Sequence, residues 1–294
     1  MGLSFPGLLG LSDVVAQADK PLPTIVTELS PGIYNIYYVS RVSLVAFTGD
    51  DGMMLVDAGY EGAAEEIRNK LDSTDVAPLK YIVNTHWHAD HTGGNIPFGN
   101  GVDIIAHDYV HEMLSHEQLL LGRKKPAFPE YAQPNITFSD RMTIRFNGQD
   151  VELIHLEGGH TGGDILVWFP EANVLVMGDL IFADNFPYVD VDHGGDPVTF
   201  VDNLKWVTDN FPEDIIIVPG HGRIYDMSDL RSWQSNLQKT IEIIREALDS
   251  GLTADQMKEQ KILSEFADYG KWWITEDNWI DVVVKSYSKE TSNI

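Results

Sequence analysis

The segment 85–91 constrains this chain more than any other part of its sequence. It reads Thr-His-Trp-His-Ala-Asp-His and places three imidazoles and one carboxylate within six residues, directly after an apolar stretch. In an extended strand, residues two apart point to the same side, so His86 and His88 can converge on one metal ion. A following turn can bring Asp90 and His91 to a neighbouring position. The segment therefore predicts a metal site at the C-terminal end of a strand.

Three later segments repeat the pattern of an apolar stretch followed by a polar residue beside glycine. They contain His160 in Gly-Gly-His-Thr-Gly-Gly-Asp, Asp179 in Met-Gly-Asp-Leu, and His221 in Pro-Gly-His-Gly. Glycines beside a ligand let the backbone approach a metal closely. Each segment alone is more typical of a loop. Together with the first motif they supply the roughly seven ligands that two ions need if each keeps an open position for water or substrate.

The composition excludes several classes of function. There is no cysteine, so a metal must be held by histidine and carboxylate, and neither a disulfide nor a cysteine nucleophile exists. Lys and Arg number 20 against 45 Asp and Glu, and the formal charge of -25 repels phosphate backbones, so we expect no nucleic-acid partner. A solvated surface and adaptation to salty surroundings both account for the acidity. No apolar stretch reaches the length of about 18 residues that a membrane span needs.

Residues 1–22 form an N-terminal segment with two interpretations. Residues 2–18 are apolar and end in Ala-Gln-Ala, which is typical of the cleavage site of a secretory leader. However, Asp13 interrupts the apolar run, and no Lys or Arg precedes Lys20, so an ordinary amphipathic segment is the alternative. A leader remnant would imply a periplasmic or secreted protein, and otherwise a cytoplasmic one.

Alternating strand and helix patterns predict one α/β domain over residues 23–226. Apolar patterns predict strands at residues 33–38, 43–48, 53–57, 81–84, 142–146, 151–155, 165–169, 174–177 and 215–218, with breaks at 40–41 and 49–52. Helical spacing is found at residues 62–71, 108–121, 230–248 and 253–264. Two sheets packed face to face, with helices on their outer faces, satisfy this order and give a four-layer αββα sandwich. Residues 227–294 are predicted to be a helical extension that packs on the same domain through its Trp-rich part.

The four motifs resemble those of the metallo-β-lactamase superfamily in order and spacing, over about residues 33–225. The resemblance implies the αββα fold of that family and a dinuclear site. It assigns the first zinc ion to His86, His88 and His160, the second zinc ion to Asp90, His91 and His221, and the bridging position to Asp179. It also gives Asp57 a supporting contact to a ligating histidine, although a turn at a strand end is an equal interpretation.

We expect two zinc ions, because the first-site ligands are all histidines, whereas the redox di-iron members of the superfamily carry a carboxylate at the position of His88. Iron and manganese are alternatives. Two such ions lower the pKa of a shared water to about 7, so a metal-bridging hydroxide is the expected nucleophile. Its target would be the carbonyl of a small-molecule ester, lactone, thioester or amide. Asp90 and Asp179 are the predicted catalytic carboxylates, with Asp90 relaying a proton.

Two further residues are candidates for substrate binding. Tyr225, near His221, is either a donor to the substrate oxygen or a packing residue. His193 lies in a loop that could border the pocket. The wording of the first motif is closest to the glyoxalase II and cyclase-like branches, and Asp179 argues against a typical β-lactamase. β-Lactam hydrolysis as a side activity and a metal-binding protein without turnover are the alternative functions, and the oligomeric state is not readable.

Overall fold

The computed structural model describes residues 24–38, 42–74 and 77–292. The strands within these ranges are β1 (Ile25–Ser30), β2 (Ile33–Tyr38), β3 (Val42–Gly49), β4 (Gly52–Val56), β5 (Leu79–Val83), β6 (Asp103–His107), β7 (Gln118–Leu120), β8 (Arg123–Lys125), β9 (Ile136–Phe138), β10 (Arg141–Phe146), β11 (Gln149–His155), β12 (Ile165–Phe169), β13 (Val174–Phe182) and β14 (Ile216–His221). The predicted break at residues 40–41 and the N-terminal segment 1–22 lie outside the described residues.

The α-helices within the same ranges are α1 (Ala64–Thr74), α2 (Ala89–Thr92), α3 (Asn95–Phe98), α4 (Asp108–Ser115), α5 (Pro197–Asn210), α6 (Met227–Asp249), α7 (Ala254–Glu259) and α8 (Glu276–Ser292). Short 3₁₀ turns lie at Glu61–Ala63, Glu130–Ala132, Val191–His193 and Ser264–Gly270. No helix in the described part of the chain is long and apolar enough to cross a membrane.

The strands form two sheet halves that face each other. The first half has the order β1-β2-β3-β4-β5-β6-β9, and the second has the order β10-β11-β12-β13-β14. The halves join at one corner, where Val42 of β3 pairs with His221 of β14. Between them lies a buried apolar layer in which the ring of Phe47 contacts Phe146 and Phe169 at centroid distances of 6.0 and 5.4 Å.

Helices cover the outer face of each sheet half. Ile67 and Leu71 of α1 pack against the first half, and α5, α6 and α8 pack against the second half through residues that include Phe200, Trp233 and Trp279. The predicted αββα sandwich is therefore confirmed. The nearly continuous apolar runs of the central strands follow from this arrangement, since both faces of each sheet are covered.

Two sets of parallel strands decide where a site can form. β4, β5 and β6 run parallel to one another in the first half, and β13 and β14 run parallel in the second. The carboxyl ends of parallel strands meet at the same edge of a sheet, which is where open α/β sheets bind ligands. The four polar motifs lie at or near the ends of β5, β11, β13 and β14, so the topology brings them to one edge.

The prediction of a helix over residues 108–121 was wrong in its second half. Helix α4 ends at Ser115, and β7 and β8 then form an antiparallel hairpin. The two turn residues Leu121 and Gly122 have φ values of 50° and 73°. Such a two-residue turn with positive φ at both positions joins paired strands and cannot continue a helix. Helix α7 also ends earlier than the sequence pattern indicated.

The C-terminal helix α8 is anchored to the core by Trp279. Its indole ring is fully buried and stacks on Phe186 at a centroid distance of 5.8 Å. Its Nε1 donates a hydrogen bond of 2.8 Å to the hydroxyl of Thr240 on α6, so the polar atom of the indole is satisfied inside the core. The helical extension thus shares its apolar core with the second sheet half.

We expect Trp279→Ala to lower the free energy of unfolding by about 3–5 kcal/mol, because it removes a fully buried aromatic ring and leaves a cavity. Urea unfolding followed by circular dichroism measures this change. Lys239→Ala, at an exposed position of α6, serves as the control and should change the free energy by less than about 0.5 kcal/mol. A loss below about 1 kcal/mol for Trp279→Ala would contradict a stabilising role for α8.

Candidate metal centre

The first motif is held rigidly at the end of β5. His86 and His88 lie in the segment that links this strand to α2 and bends at residues 85–87, and Asp90 and His91 lie in the single turn of α2. The backbone carbonyl of His91 accepts a hydrogen bond of 2.7 Å from Ala58 N, which ties α2 to the residues that follow β4. The motif therefore lies at the end of a strand, as predicted, but residues 85–87 bend instead of continuing as an extended strand.

The second sheet half contributes the other three residues. His160 lies in the turn between β11 and β12, Asp179 lies within β13, and His221 ends β14. Two glycines permit the close approach of these segments. Gly178 has a φ of +52°, and a Cβ there would lie 2.5 Å from Thr85 Oγ1, while a Cβ on Gly220 would overlap the carboxylate of Asp179.

The seven residues form two groups that share one carboxylate. Each residue offers one ligand atom, and within a group these atoms all lie within 4.8 Å of one another. The first group is His86, His88, His160 and Asp179, and the second is Asp90, His91, Asp179 and His221. Asp90 is the only half-buried member, and the other six side chains are buried. The structure thus brings together every residue that the motifs singled out for a metal.

Hydrogen bonds fix the orientation of three imidazoles through their Nδ1 atoms. Nδ1 of His91 lies 2.7 Å from Asp57 Oδ2, Nδ1 of His160 lies 2.7 Å from the carbonyl oxygen of Tyr188, and Nδ1 of His86 lies 3.1 Å from Thr85 Oγ1. The carboxylate and carbonyl oxygens can only accept. The Thr85 hydroxyl also accepts from His86, because its own hydrogen is donated to Asp57. In the neutral form of each ring this leaves the lone pair on Nε2, the atom that can then bind a metal.

His88 is oriented the other way round, with Nε2 rather than Nδ1 facing a protein oxygen. Its Nε2 lies 3.0 Å from Asp190 Oδ2, and its Nδ1 faces His160 Nε2 at 2.8 Å. Two neutral nitrogen lone pairs that face each other at this distance repel unless a cation or a proton lies near them. The donor atoms of the first group therefore suit a bound cation.

Unsatisfied buried atoms also indicate a cation. Nε2 of His86, Nε2 of His91 and Oδ1 of Asp179 are buried and make no hydrogen bond. Nε2 of His91 and Oδ1 of Asp179 are 3.0 Å apart, but the two groups are not aligned as donor and acceptor. Buried polar atoms are normally paired, so several orphans around one point indicate a missing partner. A divalent metal ion fits this set of imidazole and carboxylate donors.

The electrostatics of the cluster place negative charge on Asp179. Burial alone would raise the pKa of this carboxyl, but His221, His91 and His86 outweigh burial and hold the pKa well below its ordinary value. Burial, assisted by His88, lowers the pKa of His160 to about 4. A carboxylate that stays ionised and an imidazole that stays neutral are the protonation states that metal binding requires.

Asp57 lies where the resemblance implied. Its carboxylate accepts from His91 Nδ1 and also from the backbone N and hydroxyl of Thr85 at 2.8 Å each. The residue has a positive φ of 59°, an uncommon conformation outside glycine. Its buried carboxylate therefore links the orientation of a candidate ligand to the backbone of the first motif.

The two predicted substrate residues differ in their surroundings. His193 is half-buried, donates from Nδ1 to the carboxylate of Asp190 at 2.9 Å, and lies beside the ring of Trp87. Tyr225 is 2% exposed, and its hydroxyl accepts from the Asp184 backbone N and donates to the Asp184 carboxylate. The environment of Tyr225 favours a packing role over that of a substrate donor.

The sequence did not indicate the role of Asp190. Asp190 begins the loop that also contains His193, and the sequence pattern singled out His193 as the candidate substrate residue of that loop. Asp190 N donates to the His160 carbonyl oxygen at 2.9 Å, and its carboxylate contacts His88, 102 positions away. The one available signal was a carboxylate three residues before a histidine in a glycine-rich loop. Neither contact to a ligand can be read from that spacing.

Comparison with known proteins agrees with this geometry. The family model of the metallo-beta-lactamase superfamily matches residues 35–242. A metallo-beta-lactamase type 2 from Bacteroides fragilis is 22% identical over 207 residues, which are 67% of this chain and 78% of that protein. The hydroxyacylglutathione hydrolase GloC from Haemophilus influenzae is 29% identical over 182 residues, which are 57% of this chain and 79% of that protein.

Solved structures share the fold at low sequence identity. A metallo-beta-lactamase from Pontibacter korlensis has a TM-score of 0.60 at 23% identity, and the match covers 74% of this chain and 99% of that chain. The inverting sec-alkylsulfatase Pisa1 from Pseudomonas sp. has a TM-score of 0.70 at 15% identity, and the match covers 90% of this chain and 50% of that chain. Together with the matched family model, the αββα architecture establishes that this chain belongs to the metallo-β-lactamase superfamily, whose members are mostly hydrolytic metalloenzymes.

Proposed function

We propose that this protein is a dinuclear zinc hydrolase that cleaves an ester, lactone, thioester or amide bond of a small-molecule substrate. The observation that carries the proposal is the pair of ligand groups that share Asp179. Two metal ions bridged by one carboxylate are a common arrangement in enzymes that activate water for hydrolysis. In the alternative, a metal-binding protein without turnover, the same ligands would only stabilise the fold.

The donor set favours zinc over iron and manganese. It consists of five imidazoles and two carboxylates, and the chain has no cysteine. Zinc accepts this mixture of nitrogen and oxygen ligands, whereas magnesium, calcium and manganese favour sites rich in oxygen. Iron is the main competitor, because it also binds imidazole and carboxylate.

Bound metal ions would supply a Lewis acid for the substrate carbonyl and would activate water at neutral pH. The residues of the chain have separate tasks. Asp90 is the candidate ligand with the most exposed side chain, so it is the carboxylate that water and substrate can reach most easily. Its negative charge, kept by the proximity of His91 and His221, orients the attacking water by accepting a hydrogen bond. Asp179 lies deeper and neutralises charge between the two positions.

β-Lactam hydrolysis is the second candidate activity. The relative from Bacteroides fragilis is named as a metallo-beta-lactamase, and the shared fold supports the same class of amide hydrolysis. The relative from Haemophilus influenzae is named as a hydroxyacylglutathione hydrolase, which supports a thioester as the substrate. A fold hosts many substrates, so assays with an ester, a lactone, a thioester and a chromogenic cephalosporin are needed to choose among them.

We expect His88→Ala to lower the metal content from about two equivalents per chain to about one, because the first group loses one of its nitrogen ligands. Hydrolysis of the best substrate should fall to the uncatalysed background. Metal content by mass spectrometry and steady-state kinetics measure the two effects.

The control for this experiment is His116→Ala, since His116 is an exposed histidine outside both ligand groups. This variant should keep both the metal content and the activity of the wild type. The proposal fails if the wild-type protein purified with zinc holds less than one equivalent, or if His88→Ala hydrolyses substrate as fast as His116→Ala.

A second prediction concerns Asp190 and Asp57, whose carboxylates hydrogen-bond the candidate ligands His88 and His91. Asp190→Asn should weaken binding at the first group and Asp57→Asn at the second, each by about 10–100-fold, because the neutral amide orients and polarises the ligating imidazole less strongly. Competition with a chromophoric zinc chelator resolves the two affinities. Each variant is the control for the other, and equal loss at both positions, or no loss at either, would contradict the assignment.

A further inference from the structure

The segment 272–274 brings aromatic and apolar side chains to the candidate ligands. The ring of Trp272 lies 5.3 Å from the ring of His221, and the ring of Trp273 lies 5.0 Å from that of Tyr188. Tyr188 in turn contacts the rings of His88 and His160 at 5.7 and 5.8 Å. The segment lies beyond residues 35–242, which the family model matches.

A cavity of about 500 Å³ adjoins the same place. Its walls come from three parts of the chain: the hairpin β7–β8, the loop 188–193 and the C-terminal residues 274–285. Most of its wall is apolar, with side chains such as Leu119, Leu121, Ile274 and Val282. This volume lies within the range of sites that hold an ordinary small-molecule ligand.

The cavity meets the metal centre through shared residues. Tyr188 and Asp190 line the cavity, and both contact His88. The seven candidate ligands are not themselves part of the lining, so the cavity flanks the metal positions. Tyr188 therefore lies between His88 and the cavity, and a substrate bound at the ligands would have to pass along this side chain to enter the cavity.

Among the residues that the structure describes, the lining of the cavity provides no unpaired cation that would attract an anion. It contains three carboxylates, Asp190, Asp192 and Asp281, and a single lysine, Lys285. Lys285 is paired with Asp192 at 2.6 Å, so these two charges compensate each other. Asp281 is likewise paired with Lys258, and Asp190 contacts His88 and His193. The formal charge of -25 on the whole chain also disfavours a negatively charged group.

From these observations we infer that the cavity binds the uncharged hydrocarbon part of the substrate, and that the natural substrate is a neutral acyl compound with a long apolar chain. This inference rests on the proposed hydrolase function and specifies its substrate class. It excludes, as the best substrates, compounds with a carboxylate close to the scissile bond, such as β-lactams, at the end of the acyl chain, or on the leaving group, such as glutathione thioesters.

The experiment uses p-nitrophenyl esters of increasing chain length, from acetate to decanoate, with the zinc-loaded protein. We expect kcat/KM to rise by about fourfold for each methylene that enters the cavity, because burial removes apolar surface from water. An ester of the same length that ends in a carboxylate should lose most of this gain. Calorimetric titration with 2-undecanone, an uncharged ketone, measures binding without turnover.

Val282→Trp fills the cavity and should lower kcat/KM for decanoate at least tenfold more than for acetate, with a similar loss of ketone binding. The matched control is Val284→Trp, which makes the same change at a half-buried position of the same helix outside the lining. Leu119→Ser is a second test with little risk to folding, since Leu119 is 61% exposed, and it should weaken the preference for decanoate.

The outcomes separate this inference from the proposed function. If the zinc-loaded protein hydrolyses none of the esters from acetate to decanoate and none of the lactone, thioester and cephalosporin substrates, the proposed function fails. If acetate is hydrolysed but longer chains bring no gain, or if Val282→Trp and Val284→Trp have equal effects, the inference about the cavity fails while the hydrolase function stands. A preference for the carboxylate-ended ester would also overturn the inference.

Discussion

The buried carboxylate of Asp179 makes the interaction on which the rest of the site depends. An ionised group that is 3% exposed costs several kcal/mol in lost hydration unless opposite charge or hydrogen bonds compensate it. His91 and His221 approach this carboxylate at 3.0 and 3.3 Å, and both come from segments that end parallel strands of different sheet halves. The corner at which the halves join therefore coincides with the point where charge must be balanced.

The imidazoles can serve this purpose only because other groups hold them. Asp57 fixes His91, and Asp190 fixes His88 while its backbone N–H also binds the carbonyl oxygen of His160. Each support comes from a different loop. The centre is therefore a network in which the loops of both halves limit one another, and groups of the protein itself orient the rings. Such preorganisation reduces the cost of binding, because little ordering remains to be done.

How much of this site could be predicted from the sequence depends on how far apart along the chain the contacting residues lie. His86, His88, Asp90 and His91 were recognisable because four donors crowded into six residues are typical of a metal site. His160, Asp179 and His221 required one another and the family resemblance. Asp190 stayed hidden because its partner is 102 positions away, and the acceptor for His160 is the carbonyl oxygen of Tyr188, which any residue type would supply. A backbone carbonyl acceptor therefore cannot be predicted from the identity of the residue.

Burial and turn geometry account for what was right and wrong in the predicted fold. The central strands were predicted well, since their apolar runs report burial directly. The hairpin β7–β8 was mistaken for the end of a helix, because a short amphipathic stretch does not distinguish the two until the positive φ values of Leu121 and Gly122 are known. The C-terminal tryptophans pack against the core to different depths: Trp279 is fully buried, whereas Trp272 and Trp273 are half-buried and also contact the rings of His221 and Tyr188.

The hairpin β7–β8 and the C-terminal residues 274–285 meet at one cavity, and neither region is subject to the constraints that fix the metal centre. The strands and the metal ligands must satisfy strict requirements of burial and coordination, so their patterns are regular and shared across a family. The hairpin and the C-terminal segment only have to close a wall next to the centre, and many sequences can do that. Variation is therefore free to accumulate where it changes the shape and charge of the substrate space and leaves the metal chemistry intact. The hairpin lies within the residues that the family model matches and the C-terminal wall lies beyond them, so the cavity on which the inferred specificity rests combines both parts of the chain.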